Sequence, residues 1–479
     1  MSGAPDHAPN LERAFAAAPR EAAYRIREIE GAVPEFVRGR YAVNGPALFG
    51  RGEQRYGHWL DGDGMVACLD FTADGVTLIS RFVRSHKWAD ESARGRSLYR
   101  GFGTAFEGDQ LQRGIALASP VNVSVYPFGG RLLAFGEQGL PWELDPETLE
   151  TRGEFTFDGQ LNPISPFSAH PHFSADGGEF FNFGVSFSSR RPTLHLYRFE
   201  TGGRMIYRRR LPIDYPSMTH DFMLGRRHVL FYQSPHVLNM ETLARGGGSV
   251  MDALEWRPEL GSQLLVIDRE TGELRAKVPV SLGYSLHLIS SFESEDRLML
   301  DLIELDQPIY DQYRVPYSLF TEVRRARPVR FVLDLESLEL IERRELDYRM
   351  MCDFPAIDPR LAERDYRDFW VLGISATELP GRKFFDQLVH CDWRAGSAAG
   401  VWQAPAGCYL GGEPVLVPDG DRERAGAVIC QQWDTRSGSS AFLIFNAFDV
   451  AAGPLATLHL ESPLHLGFHA TFEPATIAP

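Results

Sequence analysis

Residues 65–82 read MVACLDFTADGVTLISRF, two alternating apolar runs joined by a turn that follows Asp70. Side chains two apart share one face of a strand, and Asp, Gly and Thr between alternating runs mark a reversal, so the stretch reads as a β-hairpin. The design returns along the chain. It turns at Asp145 in LPWELDPETLETRGEF, at Phe199 in LHLYRFETGGRMIYRRRL, and at Asp268 in LLVIDRETGELRAKV. It turns again at Asp334 in VRFVLDLESLELIERREL, at Asp392 in LVHCDWRAGSAAGVWQ, and near Asn446 in FLIFNAFDVAAGPLATLHL. These seven hairpins stand roughly 54 to 75 residues apart, and each is too small to bury its own apolar face. The chain therefore reads as all-β. Radial stacking into a seven-bladed β-propeller leaves few free sheet edges, and two β-sandwiches are the other arrangement the pattern admits.

No linker or low-complexity segment divides the sequence, so residues 26–479 are expected to form one domain behind a tail at 1–25. Longer insertions near 88–115, 236–262 and 302–328 fall between the repeating units. Such loops gather at one end of a scaffold and carry function.

Composition narrows the possible partners. A formal charge of −15 over 479 residues argues against nucleic acid, and the run Arg208, Arg209, Arg210 reads as a solvated face. The five cysteines, Cys68, Cys352, Cys391, Cys408 and Cys430, form no CxxC pair and are odd in number. That suits a reducing compartment and no thiolate metal site. The first thirty residues lack an apolar core of signal-peptide length, and no run approaches a membrane span, so a cytoplasmic protein is expected. The segment DGDGM, Asp61 to Met65, resembles a calcium loop but lacks the later bidentate acid, and reads as a tight turn.

Four of the fourteen histidines stand at the start of an expected strand in a segment free of acid or lysine before them. They are His170 in FSAHPHF, His220 in PSMTHDFML, His287 in GYSLHLISSFE and His469 in LGFHATF. Strands that leave the central channel of a propeller begin near one axis, so four imidazoles from four blades can converge there. His172 competes with His170, because residues two apart on a strand face the same side. His465 competes with His469: in SPLHLGFHATF, Pro463 and Gly467 exclude a helix, and on a strand the two rings lie roughly 13 Å apart, too far to share an ion.

At these residues the sequence resembles the carotenoid cleavage oxygenase family over nearly its whole length. The N-terminal signature is IEGAVPEFVRGRYAVNGPALF followed by HWLDGDGMV, and AHPH, MTHDF, HLISSFE and GFHATF follow in the family's order. The resemblance implies a seven-bladed propeller with a helical and loop dome over one face and Fe(II) on the axis. It implies His170, His220, His287 and His469 as iron ligands, preferring the histidine directly before the proline and the one that follows Gly-Phe. His465 then becomes a bystander or a cavity-wall residue. It implies carboxylates that orient the imidazoles through their other nitrogens, at Glu137 in LLAFGEQGLP, Glu413 in GGEPVLVP and Asp353 in CDFPAIDPR. The family usually has glutamate at the last position. Aspartate is one methylene shorter, so a water must bridge it or the backbone must move closer. Ser290 and Ser291 replace the Asn-Ala of plant members after the third ligand, and SPVNVSV keeps only Asn122 of an Asn-rich stretch.

The implied reaction is cleavage of a conjugated C=C bond by O2, the co-substrate, to give aldehyde or ketone products, so the chain is expected to be a dioxygenase acting on a single donor. Four protein ligands leave open positions on Fe(II), which suits imidazole ligation. No acid–base residue is required at the scissile bond. A long apolar tunnel must place the alkene beside the metal, and Phe102, Phe106, Tyr317 and Phe320 are the candidates to line it. Stilbene-cleaving members carry a lysine just before the first orienting acid. Here that position is Gly136, which favours a carotenoid or apocarotenoid over a stilbene or other phenylpropanoid. An apolar polyene partitions into bilayers, so peripheral membrane contact through the dome, near 102–106 and 249–256, is expected, and no protein partner is implied. A non-catalytic propeller scaffold is the reading from another class. Isomerisation or ester cleavage, as in animal relatives, is a third.

Overall fold

The computed structural model describes residues 6–16, 19–112, 117–187, 191–245, 247–315 and 318–475. Among these residues seven sheets form the body, five of four strands and two of five, beside two two-stranded ribbons. They are the seven blades of a propeller. Each hairpin read from the sequence is the third and fourth strand of a blade, counted from the axis: Asp63–Thr72 with Gly75–Phe82 in the first, Trp142–Leu144 with Thr151–Glu154 in the second, and so on to Ser439–Asn446 with Pro454–His459 in the seventh.

The turn chemistry explains most of these hairpins. Asp145 Oδ1 accepts the N–H groups of Glu147 and Thr148 at 2.9 and 2.8 Å, and Asp334 Oδ1 those of Glu336 and Ser337 at 3.0 and 2.9 Å. The first hairpin differs from its sequence reading. Its strand runs on through Thr72 and the reversal lies at residues 73–74. Asp70 is held inside the ladder because it faces Arg40 on the neighbouring strand, whose guanidinium donates to both carboxylate oxygens at 2.6 and 2.8 Å.

Both chain ends close the ring. Ala470–Pro474 is the innermost strand of the first blade and pairs with Gly39–Leu48, Val43 facing Ala470 and Gly39 facing Pro474. Ile29–Gly31 in turn adds an edge strand to the seventh blade at Pro454–His459. Within the stretch 1–25, Ala22–Arg25 pairs with Gly75–Phe82, and the short helix Glu12–Ala16 buries Phe15 against Phe49, Trp59 and Phe384.

The three insertions meet as a cap over one face. The first carries the helix His86–Arg94, started by Ser85, whose hydroxyl accepts from the Trp88 N–H, and ended by left-handed Gly95. Met251 N–H donates to the Phe102 carbonyl at 2.9 Å, Arg100 Nη1 donates to the Gly248 carbonyl at 2.9 Å, and the rings of Phe102 and Tyr310 lie 5.1 Å apart. The largest apolar core lies beneath this cap.

Candidate metal centre

Seven inner strands surround the axis, and four of them begin just after a histidine. His170 precedes His172–Phe173, His220 precedes Met223–Leu224, His287 precedes Leu288–Ser294, and His469 precedes Ala470–Pro474. The four rings are buried, and one ring nitrogen from each lies within 4.8 Å of the others. His170 Nε2 and His220 Nε2 are 2.8 Å apart.

The opposite nitrogens are tied to carboxylates. His220 Nδ1 donates to Glu137 Oε1 at 2.9 Å, His287 Nδ1 donates to Asp353 Oδ1 at 2.6 Å, and Glu413 Oε2 lies 3.5 Å from His469 Nδ1. A proton fixed on Nδ1 leaves the Nε2 lone pair directed inward. Burial, followed by the neighbouring imidazoles, holds His170 well below its ordinary pKa, and burial lowers His469 as well, so these rings are neutral. Burial also pulls on His220, but Glu137 outweighs it and leaves that ring above its ordinary value. His287 Nε2 is buried and has no hydrogen-bond partner. Four inward ring nitrogens set this closely, two of them on rings held neutral, form a nest of imidazole donors that a cation placed among them satisfies. The donor set therefore fits a divalent metal that takes imidazole.

The family model described as retinal pigment epithelial membrane protein matches residues 15–474. The chain belongs to this family, the carotenoid cleavage oxygenases. It is 29% identical over 473 residues to the apocarotenoid-15,15'-oxygenase of Synechocystis sp., covering 95% of this chain and 94% of that one. It is 26% identical to the isoeugenol monooxygenase of Pseudomonas nitroreducens, with 93% and 94% covered. A solved structure of a mutant of the Synechocystis oxygenase matches with a TM-score of 0.89 at 25% identity, covering 99% of this chain and 100% of that chain. The cobalt-substituted form of that protein matches at 0.88 and 26% identity, covering 97% and 98%.

For a family member, the short acid at Asp353 is accommodated by the backbone. The strand Met351–Ile357 carries a register shift between Asp353 and Ala356, and Phe354 takes a positive φ of 56°. This bulge brings Asp353 into direct contact with His287, with no bridging water needed. Glu413 also sits in a bulge, between Gly411 and Val415, at Gly412 with φ of +70°. His172 stays out of the cluster and donates through Nε2 to Asp221 at 3.0 Å. His465 packs its ring 5.8 Å from Phe49, also outside the cluster. Asp221 escaped the sequence reading. Besides His172 it accepts the N–H groups of Phe222 and Leu288, tying the segment after His220 to the segment after His287. Its position directly after a histidine was the available signal. Asn122 donates to the carbonyls of Leu60 and Gly62 and pins the chain beneath the cap.

The segment DGDGM opens as the 3₁₀ turn Trp59–Asp61. Its acids are buried in internal bonds: Asp61 accepts from Phe102 N–H, Gly103 N–H and Thr104 Oγ1, and Asp63 pairs with Lys87 and Arg51.

Among the described residues, one cavity borders three of the four imidazoles and a second approaches the carboxylate behind the fourth. One of 310 Å³ runs along the axis beside His170, His287 and His469, between inner-strand residues such as Leu224, Ile289 and Val415. The other, of 390 Å³, leads from exposed Ile164 past Trp142 and Phe187 to Glu137 and Thr219. The expected tunnel aromatics line neither cavity. Phe102 is buried against His58 and Tyr310, Phe320 is buried among Trp59, Tyr313, Phe384 and Phe385, and Phe106 is half-buried against Tyr56. Phe102 borders a small space of 40 Å³ that also touches Glu137. Tyr317 lies outside the described residues.

Proposed function

We propose that the chain is an iron(II) dioxygenase that cleaves a conjugated C=C bond of an apocarotenoid or carotenoid with O2, giving two carbonyl products. The observation that carries this reading is the convergence of four buried imidazoles with a carboxylate behind three of them. His170, His220, His287 and His469 hold the iron, and Glu137, Asp353 and Glu413 orient their rings. Iron(II), when bound, supplies the redox chemistry that lets O2 add across an electron-rich alkene. The chain's own residues do the rest: the cap excludes water, the carboxylates fix the imidazole tautomers, and the cavity walls position the alkene.

Gly136 supports the isoprenoid choice. The position carries no lysine to hold a phenolate, and a Cβ built there would lie 2.1 Å from Ser119 Oγ and 3.2 Å from the Val121 backbone, so a side chain enters only if Ser119 turns away. The relatives' names bracket the substrate, an apocarotenoid for one and the phenolic alkene isoeugenol for the other. Aerobic incubation of iron-loaded protein with carotenoids, apocarotenals and stilbenes, followed by product mass spectrometry, tests the reading. Paired aldehydes or ketones from a polyene are expected, and cleavage of stilbenes alone contradicts the substrate choice.

We place the enzyme in the cytoplasm with a peripheral bilayer contact. Five buried free cysteines suit a reducing compartment, and among the described residues no helix is long and apolar enough to cross a membrane. Co-sedimentation with liposomes is expected, and a protein that stays in the supernatant contradicts the contact.

A further inference from the structure

Near the histidine cluster, on the cap side, three polar side chains are buried together, none with a well-formed hydrogen bond in the protein and the two hydroxyls among them close enough to act on each other. They are the hydroxyls of Tyr284 and Tyr310 and the Nδ1 atom of His236, on residues 0%, 2% and 5% exposed. Their rings lie 5.7, 6.0 and 6.5 Å apart in the three pairings. Burying such a group without a good partner carries a desolvation penalty, and native structures rarely gather three of them in one place.

Two of the three are tied to segments that lead into expected ligands. Tyr284 is three residues before His287, in a segment fixed by reciprocal backbone hydrogen bonds with Leu305. His236 accepts through its carbonyl from the N–H of Met218, two residues before His220. The ring of Tyr310 lies 5.1 Å from that of Phe102, which borders the same 40 Å³ space as Glu137, the carboxylate behind His220.

Building on the proposed alkene cleavage, we infer that Tyr284, Tyr310 and His236 form a specificity subsite that hydrogen-bonds a neutral oxygen of the substrate, an alcohol, phenol or aldehyde, a few bonds from the cleaved alkene. Two phenols and an imidazole offer both donors and acceptors. They offer no fixed cation, and the carboxylate of Glu137 acts on both phenols and that of Asp353 on Tyr284, which disfavours an anion. Burial holds His236 at a pKa of about 4, so its ring is neutral. A carboxylic acid is therefore excluded and a bare hydrocarbon is disfavoured, because it leaves His236 unpaired and the two hydroxyls with only each other.

The test uses iron-loaded protein without oxygen, where binding is read by quenching of tryptophan fluorescence and no turnover occurs. The probes are an apocarotenal, its alcohol, its acid and a hydrocarbon polyene of equal length, with 4-hydroxystilbene and stilbene as a second pair. Wild type is expected to bind the oxygenated neutral member of each pair at least about 10-fold more tightly than the hydrocarbon. Tyr284→Phe and Tyr310→Phe are each expected to cut that ratio about 5- to 10-fold. His236→Leu provides a third variant should a tyrosine variant fold poorly. Equal binding of both members by wild type, an unchanged ratio in the variants, or preference for the acid overturns the inference. Admitting air then separates the two readings: turnover without discrimination sinks the subsite alone, and discrimination without turnover sinks the proposed reaction alone.

Discussion

At the scale of single residues, the centre depends on pairs. Asp353 meets His287 directly at a point where the strand bulges and Phe354 adopts a left-handed conformation. Asp353→Ala is expected to leave the fold intact and weaken metal affinity about 10- to 100-fold, the usual effect of removing an orienting carboxylate; competition with a chelator checks this, and unchanged affinity contradicts it. Gly136 is equally constrained, by the Ser119 hydroxyl 2.1 Å from where a Cβ would sit. Gly136→Ala is expected to cost about 1–3 kcal/mol of stability through overpacking, and Ser119→Ala in the same chain to restore part of that loss. Urea unfolding of the single and double variants decides it. The four histidines were legible because each opens a strand in a recognisable segment, whereas Asp221 was not, since its partners come from other blades. The reach of Asp353 was undecidable from side-chain length alone, because a bulge is a property of two strands.

At the scale of elements, what the sequence revealed was the outer half of each blade. The fourth strands alternate, as in Leu274–Val280, where exposed and shielded positions take turns, while inner strands such as Met351–Ile357 are buried on both faces and lose the period. The seven repeats were therefore visible as hairpins, and the inner strands were marked only by the histidine segments that lead into four of them. Asp70 was misplaced as a turn residue because its partner Arg40 lies thirty positions upstream. Asp392 does cap its turn, through Arg394 N–H at 2.8 Å and Ala395 N–H at 3.2 Å. The ion pair with Arg367, helped by those bonds, holds its carboxyl at about 2. A depressed carboxylate pKa stabilises the fold above the unfolded value near about 4 and loses that contribution as pH falls through the folded value. Asp392→Ala is expected to lower the urea midpoint at pH 7, and the gap to wild type to narrow between pH about 4 and about 2. A gap independent of pH contradicts the assignment.

At the scale of the whole molecule, the ring is closed where its first and last strands pair, and the last histidine of the cluster sits at the closure. His469 immediately precedes the strand Ala470–Pro474, which is clasped to Gly39–Leu48. Ending the chain after His469 is expected to remove the innermost strand of the first blade, lower the thermal midpoint and reduce bound iron at least about 10-fold; retention of full iron content contradicts the clasp. Because the metal binds only the closed ring, loading with iron at about 100 times its dissociation constant is expected to add about 2.7 kcal/mol to stability. The most direct test of the central claim is anomalous diffraction from iron-loaded crystals at the iron absorption edge. One peak is expected, within bonding distance of the inward nitrogens of His170, His220, His287 and His469 together; a peak elsewhere, or none in fully loaded crystals, contradicts the account.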